Sequence, residues 1–160
     1  MGKLVVVQGD SVAGTDKHNV TGTTANPAVT YAGIGDYKYK GSVTSGLSTF
    51  VKIGGKPAAL VTSNSSLDPG ETVPPTGGHS GPTGSGFLPP APPPNPTTLQ
   101  ITDHPIGTGV PNASAGSALL TISGTKVLLD GDPIDTCDGT GRKANSTVTA
   151  HGQIFVSCSQ

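Results

Sequence analysis

Six side chains in this sequence have the chemistry of metal ligands. His18, His79, His104 and His151 offer imidazole nitrogens, and Cys137 and Cys158 offer thiolates. Their spacing contains no Cys-x-x-Cys pair and no His-Glu-x-x-His helix, so spacing alone does not join them into one centre. The two cysteines also pair by count, and a disulfide at Cys137 would exclude a metal there, because zinc takes the thiolate. The other reactive groups are carboxylates. Asp10, Asp16, Asp130, Asp132, Asp135 and Asp138 could supply paired acids for proton transfer, and serine and histidine are present for nucleophilic chemistry. Asp10 and Asp132, however, each follow a glycine just after an apolar run, which is the signature of a turn in which the carboxylate accepts nearby backbone amides. There is no Gly-x-Ser-x-Gly elbow, and the glycine-rich stretch at 81–86 lacks the Lys-Ser/Thr of a phosphate loop. The sequence therefore reads as that of a non-enzyme.

Short β elements must position these groups, because the composition allows little else. Glycine (24) and proline (15) fill about a quarter of the 160 positions, only 12% of residues are charged, and tryptophan is absent. A coiled coil is excluded for want of helix formers in sustained period, and a collagen because the glycines keep no three-residue spacing. Runs at Leu4–Val7, Tyr37–Lys40, Thr49–Ile53, Ala58–Thr62, Leu99–Ile101, Ser117–Leu129 and Gln153–Val156 predict short strands joined by glycine turns. Residues 68–98 form a Gly/Pro-rich insertion that holds ten of the fifteen prolines and predicts an extended, polyproline-like loop. Residues 1–160 then make one all-β domain interrupted by that loop. A net charge of −1 argues against a nucleic-acid partner, which needs clustered Lys and Arg. No apolar run is long enough to span a membrane, and Leu4–Val7 is too short for a signal peptide.

The chain repeats itself. Val6-Val7-Gln8-Gly9-Asp10 is followed, eight residues after the aspartate, by His18; Leu128-Leu129-Asp130-Gly131-Asp132 is followed, five residues after its last aspartate, by Cys137. The hairpin at 48–60 aligns with the one at 117–129, each a strand, a glycine-containing turn and a second strand. Ala58-Ala59-Leu60-Val61-Thr62-Ser63 stands where the strand before Gly-Asp would be, but has lost both the Gly-Asp and the ligand.

Ile53-Gly54-Gly55-Lys56-Pro57-Ala58-Ala59-Leu60, with Gly-Asp and a histidine or cysteine beyond, resembles the PAAR-repeat proteins, the small caps that sharpen the spike of contractile injection machines. These machines include type VI secretion systems, phage-tail-like particles and contractile phage tails. Leu60 stands where that family usually has arginine, and in the second copy the motif is replaced by Lys126-Val127-Leu128-Leu129. The resemblance covers the chain outside the insertion and parts of 19–40. It implies a small conical domain of β-hairpin repeats in a pseudo-threefold arrangement, seated as a monomer on a trimeric β-helical spike protein and pressed briefly against a target envelope. Val5, Val7, Phe50 and Ile53 are the expected spike-binding residues. Synthesis in the bacterial cytoplasm without a signal peptide and export on the particle follow from the same resemblance.

The resemblance also implies one structural zinc ion near the vertex, held by three histidines and a cysteine. His18 matches the first ligand. Cys137 falls where a histidine is usual, and His151 falls where a cysteine is usual, an exchange that conserves the overall set. The remaining ligand is His104 or His79, with His104 preferred because it lies beside a strand; Cys158 is a further alternate or a disulfide partner of Cys137. A β-rich adhesin or carbohydrate-binding module is the alternative function. Six aromatic residues without a tryptophan are few for such a binding platform.

Overall fold

The structure is a computed structural model that describes residues 2–24, 30–68, 96–102 and 107–159. It is all-β. In chain order the strands are β1 (Lys3–Leu4), β2 (Ser11–Thr24), β3 (Thr30–Ser45), β4 (Lys52–Ile53), β5 (Lys56–Pro57), β6 (Asn64–Leu67), β7 (Pro96–Ile101), β8 (Thr108–Pro111), β9 (Thr121–Ile122), β10 (Thr125–Lys126), β11 (Pro133–Asp135), β12 (Ser146–Thr149) and β13 (Ser157–Cys158). The strand β7 already begins at Pro96, inside the Gly/Pro-rich range, with proline at the first strand position where it removes no inner ladder bond. Residues 69–95 lie outside the described residues.

Six strands close on themselves. The antiparallel neighbours run β2, β3, β6, β8, β11, β12 and back to β2, where Ser146–Thr149 pairs with Gly14–Ser11. Closure on so few strands brings backbones close together. A Cβ at Gly14 would overlap the Asn145 carbonyl and Ser146, so only glycine fits there. The barrel interior holds Val12, Tyr39, Val43, Ile134, Cys137 and Val148. The β2–β3 hairpin is in register from Ser11↔Ser42 to Thr23↔Thr30 and runs on past the barrel, where β7 takes the β2 edge from Val20 to Thr24. Strand β2 interleaves β-branched Val and Thr with glycine, a pattern that contains no continuous apolar run, and β3 contributes three tyrosines.

Below the barrel, one set of contacts occurs three times. Three hairpins, β4–β5, β9–β10 and β13–β1, have matching pairings, the third assembled from the two ends of the chain. Each leads into a three-residue segment: Ala58–Leu60, Val127–Leu129 and Val5–Val7. These segments bridge one another at Val5↔Leu129, Val7↔Ala58 and Leu60↔Val127. Their central residues form a ring, in which the Val6 amide donates to the Leu128 carbonyl at 2.9 Å, the Leu128 amide to Ala59 at 3.1 Å, and the Ala59 amide to Val6 at 2.9 Å. Val6, Ala59 and Leu128 point into the barrel, while Val5, Val127 and Leu129 pack on the hairpin side with Ile53, Leu60, Leu120 and Ile122. Each segment is therefore buried on both faces.

Two of the three ring segments end in the same kind of turn. Asp10 Oδ2 accepts the Val7 amide at 2.8 Å, and Asp132 Oδ2 accepts the Leu129 amide at 2.8 Å. Gly9 (φ 85°) and Gly131 (φ 78°) supply the left-handed residue that both turns require. These aspartates are turn residues, as their position after glycine predicts. Ser48, Ser117 and Gln153, all buried, begin the hairpins in equivalent fashion, each accepting the amide three residues on: Val51 at 3.0 Å, Leu120 at 2.9 Å and Val156 at 2.8 Å.

Candidate metal centre

The alternation of a strand sends Asp16 and His18 to the same face of β2, and that face looks into the far end of the barrel. Cys137, two residues beyond β11, meets them there. Asp16 and His18 are 0% exposed and Cys137 4%, and their ligand atoms all lie within 4.8 Å of one another. Among the described residues this is a group that could hold a metal ion. Its donor set of carboxylate oxygen, imidazole nitrogen and thiolate sulfur belongs to the chemistry of zinc and its neighbours in the first transition row.

The surroundings fix each of these side chains. Asp16 Oδ1 accepts from the Thr136 hydroxyl and from Asn145 Nδ2, both at 2.5 Å, which leaves Oδ2 facing the Cys137 sulfur at 3.1 Å. The His18 ring stands edge-on to Tyr37, with ring centroids 5.3 Å apart. The loop after Cys137 seals the site against β2: the Lys17 amide donates to Asp138 Oδ2 at 2.8 Å and the Gly139 amide to the Lys17 carbonyl at 2.8 Å. Burial, followed by the negative charge of Asp16, pushes the Cys137 thiol far above its usual range, so the thiol donates to the carboxylate. A cation held between them would favour the thiolate over the thiol. Burial likewise raises Tyr39, whose hydroxyl lies 3.0 Å from Ser65 Oγ.

Of the residues expected from the sequence, the structure brings His18 and Cys137 together. It does not bring His151. That side chain is 57% exposed at the opposite end of the barrel, with its amide on Asp10 Oδ1 at 3.1 Å and Nδ1 3.1 Å from the Thr149 carbonyl. Eight residues of extended chain, roughly 25 Å, separate Asp10 from His18. His79 and His104 lie outside the described residues; the last described residue before His104 is Thr102, whose amide donates to the Asn19 carbonyl at 2.8 Å. Cys158 is half-buried in β13 beside Ser117 Oγ, in a different cluster from Cys137, and no disulfide joins the two. The sequence alone presents Asp16 only as a possible acid. Its spacing of two from His18 becomes a signal once Ser11–Thr24 is known to be a strand.

The expected partner-binding residues divide. Val5 and Val7 are buried, at 1% and 0% exposure, because hairpins cover one face of the ring and the barrel the other; they have no side-chain surface to offer. Ile53 is half-buried against the same cluster. Phe50 is 66% exposed, and the equivalent positions of the other two repeats carry Leu119 at 70% and Phe155 at 76%. Leu119 matches Phe50 already in the aligned hairpins of the sequence, whereas Phe155 becomes equivalent only when the chain ends are joined into the third hairpin. No protein-family model, curated protein or solved structure matches the chain.

Proposed function

We propose that this chain is a PAAR-like tip protein that caps the trimeric β-helical spike of a contractile injection machine and acts mechanically, without catalysis. The observation that carries this reading is the threefold recurrence of one exposed apolar side chain, Phe50, Leu119 and Phe155, each placed by an equivalent hairpin. A monomer that meets a trimer end-on must present the same surface three times. Burying side chains of this size contributes roughly 1.5–3 kcal/mol apiece, and hairpin edges can add strand pairing to the partner. A conical, pseudo-threefold outline is part of the same proposal.

The buried Asp16, His18 and Cys137 supply the second part of the reading, one structural zinc ion. The residues fit such an ion in type, burial and proximity. Bound there, zinc would cross-link β2 to the segment after β11. His104, three positions past the end of β7 at Ile101, stays the candidate for an additional ligand.

On this reading the protein is made in the bacterial cytoplasm, assembled on a particle, and meets the target envelope only when the machine fires. Among the described residues no helix is long and apolar enough to cross a membrane. The test is native mass spectrometry of the chain mixed with a trimeric β-helical spike protein from the same genome. One chain per trimer is expected, and it should be lost when Phe50, Leu119 and Phe155 are all changed to serine. Elemental analysis should find one zinc per chain, lost in His18→Ala and Cys137→Ser. No complex with the spike, together with tight binding to a glycan, would overturn the reading in favour of the adhesin or carbohydrate-binding module.

A further inference from the structure

We propose that Asp16 is a direct ligand of the ion, which makes the centre an Asp-His-Cys set in place of the three-histidine, one-cysteine set that the resemblance implies. This rests on the metal reading above. Three observations point to the carboxylate. Asp16 is fully buried, in the same small space as His18 and Cys137. Its two oxygens are divided in role: Oδ1 is held by Thr136 and Asn145, while Oδ2 faces the sulfur, the arrangement by which outer hydrogen bonds aim a ligating carboxylate. The thiol-to-carboxylate hydrogen bond of 3.1 Å sets Sγ and Oδ2 side by side, so an ion replacing the proton would have to part them only to the separation of about 3.5 Å that zinc bond lengths give for sulfur and oxygen in a tetrahedral site.

Asn145 is the positioning residue of this centre. Its Nδ2 reaches Asp16 Oδ1 at 2.5 Å and Thr136 Oγ1 at 2.8 Å, and its Oδ1 accepts the Thr136 amide at 3.1 Å. One side chain thus orients the carboxylate and ties down the residue next to Cys137. His151, which the resemblance would place among the ligands, has no part in it.

The test is titration of the full chain with cobalt(II), read by the thiolate-to-cobalt charge-transfer band and the visible bands that report coordination. The wild type should show both, and Cys137→Ser should lose the charge-transfer band. Asp16→Asn should weaken cobalt binding at least about a hundredfold, and Asn145→Ala about tenfold with the charge-transfer band kept at saturation. Because Asp16→Asn could fail to fold, infrared difference spectra of wild-type protein labelled with 13C-aspartate provide a second reading: zinc should produce an isotope-sensitive carboxylate band. Wild-type affinity in folded Asp16→Asn, or no such band, overturns the assignment of Asp16 and leaves the tip reading intact. A wild type that binds neither cobalt nor zinc overturns the metal reading itself.

Discussion

Ser63 does for Leu60 what Asp132 does for Leu129: its Oγ accepts the Leu60 amide at 2.9 Å, as Asp132 Oδ2 accepts the Leu129 amide at 2.8 Å. The difference between them lies in the second partner. Asp132 also accepts the Gly116 amide at 2.8 Å, whereas Ser63 donates to the Gly46 carbonyl at 2.9 Å. A carboxylate cannot donate, so this repeat needs a hydroxyl. Ser63→Ala should cost about 1–2 kcal/mol by leaving the half-buried Leu60 amide unpaired. Ser63→Asp, although it restores the residue of the other repeats, should cost more, because it sets a carboxylate against a carbonyl. Chemical denaturation of both variants gives the order.

Gln153 is buried and serves four backbone groups, donating to the Val5 and Val156 carbonyls at 2.7 and 2.9 Å and accepting the Phe155 and Val156 amides at 2.7 and 2.8 Å. It is the fastener between the two ends of the chain. Gln153→Ala should destabilise by about 2–4 kcal/mol, whereas Phe155→Ser, at an exposed site, should change stability by no more than about 0.5 kcal/mol. Thermal and denaturant unfolding separate the two.

Asp138 governs part of the acid response. Burial opposes its ionisation, but hydrogen bonds from Thr140, the Lys17 amide and Arg142 outweigh that and hold its carboxyl at about 2. A depressed carboxylate pKa contributes stability above its unfolded value, lost as pH falls through the folded one. The contribution, about 1 kcal/mol after allowance for solvent screening, should fade between roughly pH 4 and pH 2. Asp138→Asn should remove that part of the pH dependence in unfolding measured across the window.

The two thiols should differ in reactivity. Cys137 is buried and its pKa is pushed up by burial and by Asp16, so it carries little thiolate, while Cys158 is half-buried. A thiol reagent should modify Cys158 in the native protein and reach Cys137 only on unfolding. Cys158→Ser should leave the native protein almost unreactive.

The repeats of 48–60 and 117–129 are legible in the sequence because both halves of each hairpin are contiguous and share a glycine turn. The third is not, because its two strands lie at opposite ends of the sequence, and only pairing Lys3 with Cys158 reveals it. Ser63 looks in the sequence like the loss of a turn residue when it is a replacement, since a hydroxyl and a carboxylate seem unrelated until their hydrogen bonds are compared. Val5 and Val7 suggest a binding face because a short apolar strand normally has one; here both faces are covered. His18 and Cys137 stand out through their spacing after Gly-Asp and the family resemblance. Asp16 does not, because β2 is too rich in glycine and polar residues to announce itself as a strand.

The closed circuit of hydrogen bonds through Val6, Leu128 and Ala59 has no first or last member. Loosening any one segment removes a neighbour from each of the other two, so the three cannot fray in turn as the ends of an open sheet do. Their amides should therefore exchange with deuterium at a common rate set by global opening, although they belong to parts of the chain more than fifty positions apart.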